Sequence, residues 1–404
     1  MAKHRFAHTD AQAWPPLKSG IGRRAHNASV MPDATVPSRR RSLGALLGLG
    51  LGLGTAGQAP ASTEEELRIG SSAALSGPAA QLGLRYHAGI RAQLDMLNQQ
   101  GGVQGRKVQL DLRDDGYEPD RAEVNTRQLV EDPRVMLLFG YVGTPTSRVA
   151  LPYLKRHGIS FLGAYTGASM LYEPGPGRIF SVRASYMDES LALAQAMKQD
   201  GVQRFNVLLQ ADLFGRAGLE AMREAAQPLK LQLQASATVK RNSTQVDEAL
   251  DTLVGREPAE AVFMISTYET CAAFIRQARK RGYKGRFYLL SFVGLEPLRE
   301  SLLGDMRQIR VSQVVPDPHD ASLPVVAAYQ KAMLARGDRQ FDSLSLEGYI
   351  AARVLSEGLR RMRGPISRDS LQQALATLGE LDLGGFRLRY QEDAHRGSSL
   401  VIVR

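Results

Sequence analysis

The clearest strand–turn–helix unit of this chain is RVMLLFGYVGTPTSRVALPYLKRH, residues 134–157. Its first part is an unbroken apolar run that ends at a glycine, which predicts a strand buried on both faces. Thr144 suits a helix N-cap, and Pro145 suits the first helical position, where its missing N–H costs nothing. We therefore predict a buried strand over 134–140 and a helix over 145–157.

The same alternation of strands and helices continues on both sides of this unit. In the first half of the chain it predicts strands at 67–70, 107–112 and 159–162 and helices at 83–99 and 119–131. In the second half it predicts strands at 205–209, 231–239, 261–265 and 287–290 and helices at 215–227, 243–254 and 268–282. This repeated pattern indicates an α/β protein with two parallel, doubly wound sheets.

The C-terminal part returns to strands after its last helices. The pattern predicts a strand at 310–315, helices at 321–336 and 344–362, and closing strands at 386–390 and 400–403. No low-complexity linker separates the two halves. We therefore expect several crossings between two lobes rather than two independent domains.

The positive charge is concentrated at the N-terminus. The chain has 404 residues and a formal charge of +10, but residues 1–61 hold eight Lys/Arg against two Asp, so about +4 belongs to residues 62–404. No Lys/Arg cluster with interleaved aromatic residues follows, which argues against nucleic-acid binding. Cys271 is the single cysteine, so neither an internal disulfide nor a cysteine zinc site is possible.

Residues 1–61 have the pattern of an export signal. The basic stretch SRRRSL (38–43) precedes the short apolar stretch GALLGLGLGLG (44–54), and Ala59-Pro60-Ala61 supplies a cleavage site. We predict a presequence cleaved after Ala61. The arginines are typical of the twin-arginine route, with the general secretory route as the alternative. Met31 is an alternative start to Met1, and the absence of a cysteine at the cleavage site predicts a soluble periplasmic protein without a lipid anchor.

Three small polar loops follow strands of the first predicted sheet. They are residues 74–78, 140–146 and 164–169, and ligands of open α/β sheets bind beyond the carboxyl ends of the strands. At the start of the helix after Thr144, we expect the amides of Thr146 and Ser147 to face outward and to favour a carboxylate. Ordinary caps and turns are the alternative explanation of these loops.

The sequence lacks the motifs of common enzymes. No GxGxxG follows the first strand, and neither a P-loop nor a GxSxG elbow occurs. The histidines of the predicted mature chain show no metal-ligand spacing. We therefore expect no catalysis, no cofactor and no metal.

Six segments, in this order and spacing, resemble a known family. They are LSGP (75–78), NQQGGVQG (98–105), FSVRASY (180–186), FGRAG (214–218), FIRQAR (274–279) and SLEGY (345–349). Together they look like the type I periplasmic binding proteins of branched-chain amino-acid ABC transporters. The resemblance implies a Venus-flytrap fold with a multi-crossover hinge, in which lobe one contains 66–185 and 315–380 and lobe two contains 186–314 and 381–404.

The resemblance also implies which residues bind the ligand. The implied set is Ser76, Gly140, Tyr141, Thr144, Ala164, Tyr165, Thr166, Tyr186, Phe214, Glu269 and Thr270. The loops after the third and fourth strands would hold the ligand carboxylate. The acidic residue that holds an α-ammonium in the family maps to Thr270 rather than to Glu269, and Leu82 replaces the tyrosine of the first loop. These departures leave the ligand open among amino acids and related carboxylates, aliphatic or aromatic.

The expected function is that of a solute-binding protein outside the cytoplasmic membrane. It would capture a small polar, carboxylate-bearing molecule and deliver it to the permease of an ABC transporter. Two alternative functions are that of a sensory binding protein that reports to a membrane receptor or regulator, and that of an exported α/β enzyme.

Overall fold

The structure, a computed structural model, describes residues 66–172, 177–256, 258–391 and 394–404. The predicted export signal, its cleavage site and the alternative start at Met31 lie outside these ranges. Within them, no helix is both long and apolar enough to cross a membrane.

The first sheet has five parallel strands in the order β2-β1-β3-β4-β5. Its strands are β1 (Leu67–Ala73), β2 (Val108–Asp114), β3 (Val135–Phe139), β4 (Ser160–Leu162) and β5 (Ile179–Phe180). The helices between them are α1 (Ala80–Gln99), α2 (Pro119–Glu131), α3 (Thr144–Arg148) and α4 (Leu151–His157). Every residue of β3 is buried, as its unbroken apolar run predicts.

The second sheet has six strands in the order β14-β10-β9-β8-β6-β7. They are β6 (Arg204–Gln210), β7 (Gln232–Val239), β8 (Ala261–Ile265), β9 (Arg286–Leu289), β10 (Ile309–Gln313) and β14 (Ile402–Val403). The intervening helices are α5 (Tyr186–Gln199), α6 (Leu213–Ala226), α7 (Asp247–Leu250), α8 (Tyr268–Lys280) and α9 (Leu295–Ser301). All pairs are parallel except that of β10 with β14.

The rest of the chain adds three helices and a small antiparallel sheet. The helices are α10 (Pro324–Ala335), α11 (Ser343–Arg361) and α12 (Arg368–Ala376), and α11 packs against α1. Strands β11 (Glu380–Asp382), β12 (Arg387–Gln391) and β13 (Ala394–Gly397) form the sheet. The Tyr390 hydroxyl donates to the Ser181 carbonyl at 2.9 Å, which ties this sheet to the segment after β5.

The chain passes between the two large sheets three times. It leaves the first sheet after β5, leaves the second after β10, and returns to the second as β14. The expected crossings are therefore present. The residue boundaries of the two lobes stay predictions, and the strands at 380–397 form a sheet of their own rather than an extension of the second sheet.

Two predicted helices differ from the structure. The helix predicted over 145–157 is two short helices, α3 and α4, because Pro152 lacks the N–H that would continue the hydrogen-bond ladder. The helix predicted over 243–254 begins only at Asp247, and it widens into a π-helical turn over Asp251–Arg256.

Candidate functional site

The loop after β3 is shaped by Gly143. This residue is the N-cap of α3, with a φ of 105°, and Thr144 is already the first helical residue. The Ser147 amide donates to the Gly143 carbonyl at 3.0 Å. The expectations that Thr144 is the N-cap and that the Ser147 amide is free for a carboxylate are therefore wrong.

Three hydroxyl groups meet where this loop approaches the loop after β4. The hydroxyl oxygens of Thr144 and Thr166 lie 2.7 Å apart, and the Thr166 hydroxyl donates to that of Tyr186 at 3.1 Å. Burial raises the pKa of Tyr186 to about 12, so its hydroxyl keeps its proton at neutral pH. Because hydroxyl groups rotate, this hydroxyl cluster can donate hydrogen bonds to an anion without a charged residue.

Five buried aromatic side chains form a connected group that includes Tyr186 of the hydroxyl cluster, and we call them the ring cluster: Tyr117, Tyr165, Tyr186, Phe214 and Phe292. The Phe292 ring centroid lies 4.5 Å from that of Phe214, 5.3 Å from that of Tyr165 and 6.0 Å from that of Tyr117. The rings of Tyr186 and Phe214 are 5.5 Å apart.

The ring cluster draws on both large sheets. Tyr117 and Tyr165 follow strands β2 and β4 of the first sheet, whereas Phe214 and Phe292 follow strands β6 and β9 of the second. The rings therefore line the cleft between the two halves, at the carboxyl ends of their strands.

A buried charge cluster lies behind Tyr165. The Arg183 guanidinium stands 4.7 Å from the centroid of the Tyr165 ring and faces Glu189 at 3.4 Å and Glu347 at 3.6 Å. Burial raises the pKa of Glu347 to about 7, against the lowering effect of Arg183. Arg183 belongs to the segment that crosses between the sheets, so the charge cluster occupies the hinge.

Polar contacts close the cleft on the other side of the ring cluster. The Gln210 amide donates to the Tyr117 hydroxyl at 3.2 Å, while its carbonyl oxygen is buried without a hydrogen-bond partner. The Arg241 guanidinium donates to Glu118 at 3.0 Å and to Asp212 at 2.9 Å. These contacts join loops of the two halves in a closed arrangement.

Five of the predicted ligand residues belong to these clusters. They are Thr144, Tyr165, Thr166, Tyr186 and Phe214, and Gly140 lies in the same loop as Thr144, with a φ of 69°. Their role in binding stays a prediction, but the structure brings them together.

The other five make their contacts elsewhere. The Ser76 hydroxyl is exposed and donates to Asp114 at 2.6 Å. Tyr141 bonds to the Thr126 hydroxyl at 2.9 Å and shares a separate core with Ala164. Glu269 accepts a hydrogen bond from Ser301 at 3.1 Å, and the Thr270 hydroxyl donates to the Ser243 carbonyl at 2.8 Å.

Four residues of the cleft are not predicted from the sequence: Tyr117, Arg183, Gln210 and Phe292. Tyr117, Gln210 and Phe292 stand at or just beyond the carboxyl ends of β2, β6 and β9, so the strand-end rule could have found them if it were applied to every strand. The buried position of Arg183 has no comparable signal in the sequence. Among the residues that the structure describes, no group of three or more His, Cys, Asp or Glu could hold a metal ion.

The sequence profile of the periplasmic binding proteins matches residues 66–404. The chain belongs to the periplasmic binding protein family. This result confirms the resemblance predicted from the sequence, and it agrees with one parallel and one largely parallel sheet joined by three crossings in a Venus-flytrap fold.

Individual relatives agree with this assignment. The Leu/Ile/Val-binding protein homolog 7 of Brucella suis biovar 1 is 24% identical over 381 residues, which cover 88% of this chain and 92% of that protein. A solved structure of a possible leucine/isoleucine/valine-binding protein from Rhodopirellula baltica SH 1 is 34% identical, with a TM-score of 0.81 over 85% of this chain and 95% of the other. A substrate-binding periplasmic protein from Ralstonia solanacearum is 29% identical, with a TM-score of 0.78 over 84% and 97% of the two chains. These relatives are binding proteins, not enzymes.

Proposed function

We propose that this periplasmic binding protein captures a small carboxylate-bearing molecule outside the cytoplasmic membrane and delivers it to the permease of an ABC transporter. The observation that carries the proposal is the hydroxyl cluster of Thr144, Thr166 and Tyr186, which the Tyr186 ring joins to aromatic rings from both halves of the molecule. Neutral hydroxyl donors in a buried cleft hold an anion that must later be released, because they bind it without a permanent opposite charge.

The names of the relatives support a carboxylate ligand. Leucine, isoleucine and valine, after which two of the relatives are named, all carry a carboxylate. The export signal predicted in residues 1–61 supports a periplasmic location. A permease would then recognise the closed arrangement, in which the Arg241 guanidinium donates to Glu118 across the cleft.

Calorimetry on the purified protein tests the carboxylate site. The probes are L-leucine, L-phenylalanine and their analogues without the amino group, 4-methylpentanoate and 3-phenylpropanoate. We expect at least one of them to bind and to raise the melting temperature by mass action. The variant Thr166→Val should weaken that binding about tenfold, since a lost hydrogen bond to a charged group is worth about 1.5 kcal/mol or more.

Thr126→Val is the matched control. Thr126 is likewise a buried threonine whose hydroxyl contacts a tyrosine hydroxyl, that of Tyr141, but it lies outside the ring cluster. We expect its affinity for the same probe to equal that of the unchanged protein. If none of the four carboxylates binds, or if both variants weaken binding equally, the proposed site is wrong.

A further inference from the structure

We propose that the ligand carries an aromatic ring beside its carboxylate and has no ammonium group. This inference rests on the proposed function and concerns the same cleft, and it names the class of ligand. It is carried by three features: the ring cluster, the carboxylates around it, and the cations that cover two of its rings.

The ring cluster offers aromatic faces from both halves of the molecule. Phe292 touches Phe214 on its own side of the cleft and Tyr165 and Tyr117 on the other, with ring planes tilted by 34° to 54°. When the halves separate, the faces of Tyr117 and Tyr165 part from that of Phe292. A planar ring that enters between them recovers offset or edge contacts, which are worth about 0.5–1.5 kcal/mol per pair beyond the buried area.

The carboxylates around the ring cluster are already engaged. Asp212 accepts from the Phe214 and Gly215 amides with one oxygen and from Gln210 and Arg241 with the other. A buried ammonium needs a charged partner of its own, and Asp212 could serve only after its four donors had moved away.

The two glutamates of the hinge are engaged as well. Glu189 faces Arg183, and its second oxygen accepts from the Ser291 amide at 2.8 Å and from the Ser312 hydroxyl at 2.5 Å. Glu347 faces the same arginine from α11. One guanidinium thus faces both carboxylates, and each of them already has a partner within the hinge.

The positions predicted to hold an ammonium bond elsewhere. Glu269 accepts a hydrogen bond from the Ser301 hydroxyl, and the Thr270 hydroxyl donates a hydrogen bond to the Ser243 carbonyl. Neither residue belongs to the ring cluster. The cleft therefore keeps hydroxyl donors for a carboxylate without the acidic partner that an amino acid requires.

Rings can also attract a quaternary ammonium through their faces, but cations already cover two rings of this cluster. Arg183 lies 4.7 Å from the Tyr165 centroid and Arg241 lies 5.9 Å from that of Tyr117. These two ring faces are therefore already occupied by guanidinium groups, which a quaternary ammonium would have to displace. A neutral aromatic ring can instead make offset or edge contacts with the neighbouring phenylalanine rings, so the observations favour it over a quaternary ammonium.

Five probes separate these possibilities. L-phenylalanine against 3-phenylpropanoate, and L-leucine against 4-methylpentanoate, each differ by the ammonium alone. The first pair differs from the second by its aromatic ring, and glycine betaine presents a carboxylate with a quaternary ammonium. Calorimetry should give 3-phenylpropanoate the lowest dissociation constant, at least tenfold below that of L-phenylalanine and below that of 4-methylpentanoate.

Each other ranking has a defined meaning. Tighter binding of either amino acid, of 4-methylpentanoate or of glycine betaine overturns this inference, while the proposed carboxylate site stands as long as at least one of the first four probes binds. Absence of binding by all five probes overturns the proposed function and the inference together.

A pair of variants tests the ring cluster itself. Phe292→Leu keeps an apolar side chain but removes the central ring, and we expect it to weaken 3-phenylpropanoate binding at least fivefold. Phe287→Leu is the control, because Phe287 is a buried ring on β9 that packs on Tyr283, outside the ring cluster. A melting curve without ligand separates lost stability from lost affinity. Equal affinity of Phe292→Leu and Phe287→Leu for 3-phenylpropanoate contradicts the inference.

Discussion

At Gly143, both the backbone conformation and the nearby Tyr117 ring of the cleft require a glycine. Its φ of 105° is a conformation that side chains rarely adopt, and a Cβ there would overlap the Tyr117 ring. Only glycine lets the loop after β3 approach Tyr117 and bring Thr144 to the hydroxyl cluster. A single backbone position thus sets the distance between two parts of the candidate site.

Replacement of this glycine should damage both folding and binding. We expect Gly143→Ala to lower the free energy of unfolding by about 3 kcal/mol, from the positive φ and from the displaced Tyr117 ring. Gly158→Ala is the control, because Gly158 also has a positive φ, of 58°, but nothing lies within 4 Å of a Cβ. It should cost about 1 kcal/mol and leave ligand affinity unchanged. Urea unfolding and calorimetry measure the two effects, and equal losses in both variants would argue against close packing at Gly143.

At the scale of elements, the sequence pattern predicts most strands of the two large sheets but misses β5, β11 and β13. The strand at 261–265 and the helix at 119–131 have the predicted limits, because each is a single run with a clear period and clear ends. The helix at 145–157 is divided at Val149 and Ala150, just before Pro152, and α5, α9 and α12 are not predicted. Helices α9 and α12, with seven and nine residues, are too short for a helical period to stand out, and packing decides whether they form.

The candidate site is predicted only in part for a related reason. Tyr141 and Ala164 stand beside residues that reach the cleft, yet they face the opposite side of the sheet, where they pack with Phe161 and Leu154. Successive residues at a strand end point in opposite directions, so a loop can be found from the sequence while the choice of side chain requires the register. Phe292 is the opposite case: it belongs to the ring cluster, although no short sequence motif indicates that it does.

Helices α1 and α11 approach each other closely through glycine. A Cβ on Gly348 of α11 would overlap the Tyr86 carbonyl of α1, and one on Gly89 of α1 would overlap the Ser345 carbonyl of α11. The obstacle is backbone in both cases and cannot move aside without separating the helices. The glycine of the segment SLEGY is therefore explained by packing, not by contact with a ligand.

We expect Gly348→Ala to be one of the most destabilising substitutions in the chain. The two helices would have to separate, at a cost of about 3 kcal/mol or more in the free energy of unfolding. Gly358→Ala is the control on the same helix, because its new Cβ meets side-chain atoms of Leu375 and Leu371 rather than backbone. Gly358→Ala should lower the free energy of unfolding by about 1 kcal/mol or less. Chemical denaturation compares the two variants. A smaller loss of unfolding free energy for Gly348→Ala than for Gly358→Ala would show that α1 and α11 can accommodate a Cβ at Gly348.

At the scale of the whole molecule, the hinge carries the most unusual chemistry. Arg183 lies on the first crossing, Glu189 on α5 and Glu347 on α11, so one buried charge cluster joins the crossing to helices that pack on different sheets. Buried ion pairs add little net stability but are costly to break. The charge cluster therefore acts chiefly to fix the path of the crossing and the position of Tyr165 above it.

Glu347 should make the stability of the hinge depend on pH. Burial raises its pKa from 4.5 to about 7, so between these values the folded protein binds a proton that the unfolded chain releases. This contribution to stability is complete below pH 4.5 and is lost as the pH rises through about 7. In Glu347→Gln it is absent, so the difference in unfolding free energy between the unchanged protein and this variant should fall by about 3 kcal/mol from pH 4.5 to pH 8.

Comparison with the variant isolates Glu347 from the other buried groups that titrate in this range. Burial lowers the pKa of His87 to about 4 and raises that of Asp115 to about 6, but both residues are present in both proteins, so their effects cancel in the difference. Glu224→Gln, on the exposed face of α6, is the control and should leave the pH profile unchanged. Urea unfolding at several pH values measures the difference. If this difference in unfolding free energy does not change with pH, Glu347 stays ionised beside Arg183. If the difference rises with pH, Arg183 has a larger effect than burial on the pKa of Glu347.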